Sequence, residues 1–393
     1  MPPSVYNQGV RVVQVPSRTL FGDSPRNYNA SIVEFGGRRL MAYRSHRMDQ
    51  KGRCAIAMCE VDEKWEGTRN HWIELPMTAD EHHEDPRLFI YNGHLHLAYT
   101  ETRFRHPEPY TCRMAYARLV QKRRRWSAEA VWFPSYGKNN GNSTEKNWQF
   151  FEHEGRLYVI YGSQPHVVLE VDGDVVRSVQ TDPGEVLWPW GEVRGGTPPV
   201  LMPSGEFLTI FHSSLPYPVE PHWRRYYAGA YTFEAKAPFR ITAVSQSPIL
   251  GGSGEDGHIA DPRKTSWKPF VVFPGGIIPH KDGYFVSYGI NDYLTAVADH
   301  RDFNLGDPLF RSIKPRFFRT ANGTRPIRLE LDYVKPTYIN WEPVPAEIGC
   351  ATAGVIEIKS PMVAMRLAEL GVTEITPDDY RKAKRPFASA SFR

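Results

Sequence analysis

The chain has 393 residues, of which 41% are apolar, 13% aromatic and 23% charged, so it can bury a large core and lies far from the composition of disordered chains. Its net charge, 48 − 44 = +4, is too small over this length to suggest nucleic acid without a clustered basic face. No apolar run approaches the roughly 18 residues of a membrane span.

Met1-Pro2-Pro3-Ser4 begins without the basic-then-apolar segment of a secretory leader, so a cytoplasmic protein is expected, with neither nucleic acid nor membrane as a partner. Cys54, Cys59, Cys112 and Cys350 are scattered, with no CxxC pair, and read as buried free thiols.

In chain order, one unit recurs: a glycine turn, then an alternating strand ending on an aromatic residue. It appears at Gly36–Arg44, Asn92–Thr100, Glu154–Gly162, Ser204–His212 and Asp282–Gly289, with Tyr43, Tyr99, Tyr161, Phe211 and Tyr288 as the terminal aromatics. Those aromatics are 56, 62, 50 and 77 residues apart, longer than a hairpin and suited to a four-stranded unit with variable loops. Each copy follows another strand-like run (Ala30–Phe35, Arg87–Tyr91, Trp148–Glu152, Pro199–Met202, Ile277–His280). Third strands are expected at Ala55–Val61, Arg113–Leu119, Val167–Val171 and Tyr227–Phe233, and fourth strands at Trp72–Leu75 and Ala128–Phe133. The basic run Lys122–Arg125 falls at a hairpin tip. The recurrence predicts an all-β fold, a five-bladed β-propeller over residues 1–300, rather than a pair of β-sandwiches. Residues 301–393 form a C-terminal extension, a helical appendage in which Ser360–Gly371 and Thr376–Arg381 carry helix-start signals and pack on the propeller.

In a propeller the inner strand of each blade runs along the axis, so its mouth residues converge on one funnel. Those mouths are Asn29, His83-Glu84-Asp85-Pro86-Arg87, Glu145-Lys146-Asn147-Trp148, Arg194-Gly195-Gly196-Thr197-Pro198 and Phe273–Gly276; Arg44-Ser45-His46, Glu101, Gly162-Ser163, His212-Ser213-Ser214 and Asn291-Asp292 follow the second strands. They are largely polar although the strands between them are apolar. Asp85 stands out as a general acid, because strand alternation would place it beside Arg87 while neighbouring acids raise its proton affinity. Lys146, Arg194, His212, Arg44 and Arg87 would surround an anion, although Lys146 and Arg44 taken singly read as surface charges. Trp148, Trp188, Trp190 and Tyr43 are candidates for stacking on a sugar face. Asp261 offers a further acid. A metal is not expected: His82 and His83 are adjacent on a strand and point to opposite faces, and no ligand-spaced motif occurs. Phosphate-loop and serine-elbow signatures are absent from the sequence.

The stretch His83–Leu88 resembles the EDPR motif of glycoside hydrolase family 130, the five-bladed-propeller β-mannoside phosphorylases and hydrolases. Val271–Gly276, Val286–Asp292 and Leu294–Ala298 are similar to that family's last-blade pattern, and Asn29-Ala30, Arg44 and Gly205–His212 fit its earlier blades. The resemblance spans roughly residues 25–300. It implies that Asp85 is the catalytic acid, that Asn29, Arg44, Arg87 and Asp292 hold the glycone, and that His212 helps bind phosphate. Tyr161-Gly162-Ser163 stands where the phosphorylases are expected to carry a His-Arg pair, so phosphorolysis, hydrolysis and glycosyl transfer all stay open.

The expected activity is cleavage or formation of a glycosidic bond with inversion, on a mannoside or other oligosaccharide. Asp85 and Glu145 are the catalytic carboxylates, and Asn29, Arg44, Arg87, Lys146, Asn147, Trp148, Arg194, Thr197, His212 and Asp292 the substrate contacts. No cofactor is expected beyond inorganic phosphate as co-substrate, and a homo-oligomer is left open. The rivals are a transferase using a sugar nucleotide, whose diphosphate the basic funnel would hold, and a non-catalytic glycan-binding propeller that would keep the aromatics without needing Asp85.

Overall fold

Apolar residues at every second position, separated by glycine turns, fold into antiparallel sheets in the computed structural model of the chain. It describes residues 10–21, 24, 26–47, 53–76, 81–103, 111–136, 144–179, 186, 188, 190–217, 220–252, 270–306, 316–319, 327–329, 346–348, 355–358 and 373–384. Two compact units result, one of residues 1–186, 192–214 and 224–308, the other of 187–191, 215–223 and 309–393.

The first unit is all-β and propeller-like. Strand β1 (Arg11–Gln14) is followed by a first sheet of β2 (Asn27–Phe35), β3 (Arg38–Arg47), β4 (Arg53–Val61) and β5 (Gly67–Trp72), hydrogen-bonded in that order. A second repeats the meander with β6 (Glu81–Tyr91), β7 (His94–Arg103), β8 (Thr111–Lys122) and β9 (Arg125–Trp132), and a third with β10 (Gln149–His153), β11 (Arg156–Ser163), β12 (His166–Asp172) and β13 (Val175–Ser178). Next come β14 (Glu192–Gly195), β15 (Val200–Leu201), β16 (Glu206–Tyr217) and β17 (Glu220–Glu234), whose adjoining ends within 215–223 are counted with the second unit, then β18 (Ile241–Ser245) and β19 (Leu250–Gly251). The last sheet is β20 (Val272–His280), β21 (Gly283–Ile290) and β22 (Leu294–His300), before β23 (Leu305–Gly306). β1 returns to pair with β22, Arg11 opposite Asp299 and Gln14 opposite Ala296, and completes four strands there.

Four sheets therefore have the expected four-strand form, whereas the recurrence containing Phe211 lies in a seven-stranded sheet, β14-β16-β17-β18-β23 with β15 and β19 paired alongside. The long β16 and β17 present more edge than one partner can cover, so short flanking strands satisfy the remaining backbone groups. The five aromatic-ended strands are β3, β7, β11, β16 and β21, each in a different sheet. The fourth strand of the first sheet lies at Gly67–Trp72 rather than Trp72–Leu75, and β6 begins at Glu81, well before Arg87. The Lys122–Arg125 tip closes with Arg123 and Arg124 at φ 48° and 65°, the left-handed pair that a two-residue hairpin needs. Each core is made by inward positions of adjacent strands: Leu40, Ile56, Leu88, Leu97, Ala117 and Trp126 belong to one cluster, and Ile210, Ala230, Val286 and Ala298 to another.

The second unit contains β24 (Arg316–Arg319), β25 (Ile327–Leu329), β26 (Ala346–Ile348), β27 (Val355–Ile358), β28 (Thr373–Ile375) and α1 (Pro377–Lys384). The extension is thus part strand: β24 pairs with both β27 and β28, and β25 with β26. Helix α1 starts where its signals placed it, with Thr376 Oγ1 accepting the Asp379 amide at 3.1 Å. The helix expected over Ser360–Gly371 lies outside the described residues, as does Asp261.

Candidate functional site

Three of the five mouths are turned by β-bulges. In β2 the register jumps between Tyr28 and Ser31, in β6 between Glu84 and Arg87, and in β20 between Pro274 and Gly276. Each jump lies opposite or beside the terminal aromatic of the next strand, and in β2 and β6 the extra residue takes a left-handed backbone: Asn29 has φ 51° and Asp85 φ 54°. Asn147, just before β10, has φ 66°. Asn and Asp tolerate this region better than other L-residues, and a bulge re-aims the side chain it carries. Simple alternation, expected for Asp85 and Arg87, is broken at this point.

Two of the re-aimed side chains, Asn29 and Asp85, meet, and Arg44 from β3 joins them. Asn29 Nδ2 donates to Asp85 Oδ1 at 2.8 Å, and Arg44 Nη1 lies 3.5 Å from the same oxygen. Arg44 Nη2 pairs with Glu84 Oε1 at 2.7 Å, with both side chains largely buried, and its guanidinium stands 5.0 Å from the Tyr28 ring centroid. Arg44 is therefore a buried part of the cluster and not a surface charge. Arg87, 1% exposed, donates to the carbonyls of Asp85, Gly195 and Gly196 and to Asn147 Oδ1, tying the second sheet to Asn147 and to β14. A Cβ on Gly195 would sit 2.0 Å from the Asn147 carbonyl oxygen, so glycine alone permits this approach.

The electrostatics reverse one expectation. Burial pushes the Asp85 carboxyl up, but Arg44, the Asn29 hydrogen bond and Arg87 together hold it below the usual range. Glu84 is the acid whose pKa is raised, by burial and by neighbouring Asp85 against the pull of Arg44. The neighbouring carboxylates thus favour a proton on Glu84, because Arg44 acts on both acids while the Asn29 amide and Arg87 add their hold on Asp85 alone. His212 is not a cation either: burial, with Arg87 and Arg194 nearby, lowers its pKa to about 3. Its ring lies against Phe273 at 4.7 Å.

Glu145 accepts from Trp148 Nε1 and from Tyr161 Oη, each at 3.1 Å. Trp148 is 1% exposed and packs between Phe150 and Tyr161, so its ring orients Glu145 and presents no stacking face. Tyr43 is likewise buried, its hydroxyl donating to Asn70 Oδ1 at 2.7 Å, while Trp188 and Trp190 touch each other in the second unit. Thr197 is fully buried; its Oγ1 accepts the Ile210 amide at 3.0 Å, a contact that locks β16 in place. Arg194 stands opposite His212 in the β14–β16 register and pairs with Glu192 at 3.0 Å, with 44% of its side chain exposed. Lys146 acts electrostatically on Glu84 and Asp85, and Asp292 on Tyr28. Direct contacts therefore join Asn29, Arg44, Asp85, Arg87 and Asn147. Lys146, Arg194, His212 and Asp292 adjoin them through their fields, and Glu145, Trp148 and Thr197 make separate local contacts.

Sequence reasoning missed Tyr28 and Cys54, because their roles depend on cross-strand neighbours with no spacing signature. His82 and His83 do face apart: the Cys54 amide donates to His82 Nδ1 at 3.2 Å, whereas His83 joins Glu81 and Glu101, with ligand atoms all within 4.8 Å. Those two carboxylates are already ion-paired with Arg103 and Arg113. A depression of about 440 Å³ lined by Glu34, Arg38, Arg39 and Glu60 lies at the far end of β2 from Asn29 and belongs to no part of this cluster.

Comparison with known proteins agrees with the fold. A family described as beta-1,4-mannooligosaccharide phosphorylase matches residues 10–304. No curated protein matches the chain. Among solved structures, a glycosyl hydrolase from Bacteroides ovatus superposes with TM-score 0.50 at 14% identity, covering 73% of this chain and 86% of that one. A mannose phosphorylase from Leishmania mexicana in complex with phosphate gives TM-score 0.51 at 17% identity over 76% and 88%. A GDP-Man-dependent mannosyltransferase from the same organism gives 0.51 at 17% over 75% and 90%. At these identities the structures share the fold.

Proposed function

Since the chain belongs to glycoside hydrolase family 130, and is on that ground a carbohydrate-active enzyme, we propose that it cleaves or forms a β-mannosidic bond with inversion, using Asp85 as general acid. The observation that carries this reading is the buried Asp85 carboxylate, turned out of its strand by a bulge and gripped by Asn29 and Arg44. We read the seven-stranded sheet as the remaining blade of a five-bladed propeller, which would bring the five mouths to one funnel.

An inverting enzyme needs an acid on the departing oxygen and a nucleophile on the opposite face. Asp85 begins ionised, so its proton must arrive as substrate engages Asn29 and Arg44 and removes their hold on the carboxylate; desolvation by the bound sugar acts in the same direction. Arg87, Asn147 and Asp292 would hold sugar hydroxyls, with Thr197 and Trp148 supporting the walls. For attack by water, Glu145 is the base, oriented by Trp148 and Tyr161. For attack by phosphate, Lys146 and Arg194 supply positive charge, and neutral His212 a ring nitrogen.

The test is product analysis on a panel of β-mannosides with and without phosphate. Sugar 1-phosphate identifies phosphorolysis, and free sugar of inverted anomeric configuration identifies hydrolysis. Transfer from a sugar nucleotide alone, or binding without turnover, would replace this reading by one of its rivals.

A further inference from the structure

Arg44 carries the contact to Asp85, yet nothing in the glycosidic chemistry explains what fixes its guanidinium on the outer side. β3 and β4 pair with His46 opposite Cys54 and Arg44 opposite Ile56, so Arg44, His46 and Cys54 share one face of the first sheet. Arg44 Nη2 lies 3.3 Å from Cys54 Sγ as well as 2.7 Å from Glu84 Oε1. The Tyr28 ring covers the plane at 5.0 Å, and Tyr28 Oη meets His46 Nε2 at 3.2 Å. His46 Nε2 is in turn 3.7 Å from Cys54 Sγ. The sulfur and the Glu84 oxygen grip the same nitrogen, which leaves Nη1 directed at Asp85.

We propose that Cys54 is a positioning residue, an acceptor that fixes the Arg44 guanidinium so that Nη1 faces the Asp85 carboxylate. The role assigned to Asp85 is that of the preceding subsection, on which this inference rests. Charge supports the geometry. Burial alone raises the Cys54 thiol, but Arg44 and the hydrogen bonds of His46 and His82 bring it down to about 5, which makes it a thiolate at neutral pH. Cys59, on the same strand but away from the mouth, is pushed far up by burial and Glu60. The charged and titratable groups around the sulfur are Tyr28 from β2, Arg44 and His46 from β3, and His82 and Glu84 from β6; beyond them, Asp85 acts on Arg44, and Asp292, after β21, on Tyr28.

Two measurements on the full chain test this. Thiolate absorbance near 240 nm, taken as the difference between the unmodified protein and Cys54→Ser, should titrate near pH 5, and Arg44→Gln should move that midpoint up by at least about one pH unit. On a cleaved mannoside, Cys54→Ala should lower kcat about 10–100-fold, as expected when a contact group is misplaced, while Cys54→Ser should recover to within about threefold because its hydroxyl still accepts from Arg44. An unmoved midpoint in Arg44→Gln, or equal losses in Ala and Ser variants, would overturn the proposal. So would an unchanged kcat in Cys54→Ala. The titration decides the Arg44–Cys54 pairing even where no glycoside is cleaved, an outcome that removes the glycosidase reading by itself.

Discussion

Asp85 shows how one residue acquires a chemical role from its neighbours. Asn29 and Arg44 come from the first sheet, Arg87 from its own strand, and together they outweigh the burial that would otherwise neutralise the carboxylate. If Asp85 protonates the departing oxygen, Asp85→Asn should lower kcat about 10²–10⁴-fold with little change in KM, because the amide keeps the shape and loses the proton. An aryl mannoside with a good leaving group should recover much of that loss. Steady-state kinetics on both substrates would check this, and full activity of the Asn variant would move the role to Glu84 or Glu145. The type and place of Asp85 were legible in the motif. Its ionisation was not, since the sequence puts Glu84 beside it but gives no sign that Arg44 divides its two nitrogens between them.

Among elements, the bulged inner strands matter most. Asn147 holds a left-handed backbone and accepts from Arg87. Asn147→Gly keeps the backbone and loses the acceptor, whereas Asn147→Ala loses both, and the left-handed region costs an ordinary L-residue about 1–2 kcal/mol. Urea unfolding should therefore find the Ala variant about 1 kcal/mol less stable than the Gly variant; equal midpoints would mean that the backbone before β10 relaxes out of its left-handed conformation. The alternating strands and glycine turns were readable because a period of two and a turn residue are local properties. Neither the bulges nor the seven-stranded sheet was readable: a bulge is a mismatch between two strands, and extra strands join a sheet according to which edges lie open. The same reasoning explains β5, which takes Gly67–Trp72 because Trp72 pairs with Ala57 and Gly67 with Val61.

On the scale of the first unit, β1 lies about 280 residues from its partner β22 and leads into fully buried Val15. Removing residues 1–15 should expose the β22 edge and the wall beneath Val15, lowering Tm by about 10 °C or causing aggregation, which scanning calorimetry and light scattering would show. An unchanged Tm would mean that the pairing contributes nothing to closure.

Stability should also fall in acid. Burial lowers the pKa of His83, His96 and His300 to about 4 and of His212 to about 3, against about 6.5 in the unfolded chain. Their contribution is fully present above about pH 6.5 and is lost as pH falls toward 4, where the unfolded chain binds protons that the native state refuses. Asp85, whose native pKa is lowered, adds to the loss below its own unfolded value, while Glu84, whose native pKa is raised, opposes it. The urea midpoint should be lower at pH 4.5 than at 7.5. His300→Phe, which keeps a ring against Phe303, should narrow the difference; equal midpoints in the original protein would contradict the assignment.

What the sequence by itself determined is what depends on neighbouring positions: alternating strands, glycine turns, five aromatic strand ends, the start of α1 and the His83–Arg87 motif that carries Asp85. Tertiary structure decided what depends on residues far apart in the chain. It selected which edge β1 would close, which carboxylate Arg44 would keep ionised and which rings would be walls instead of platforms. It also turned Cys54 from an apparent core thiol into a contact of the site. The physical reason is range. Backbone periodicity is set within a few residues, whereas electrostatic fields, bulges and edge pairing act across sheets whose members the chain brings together only by folding.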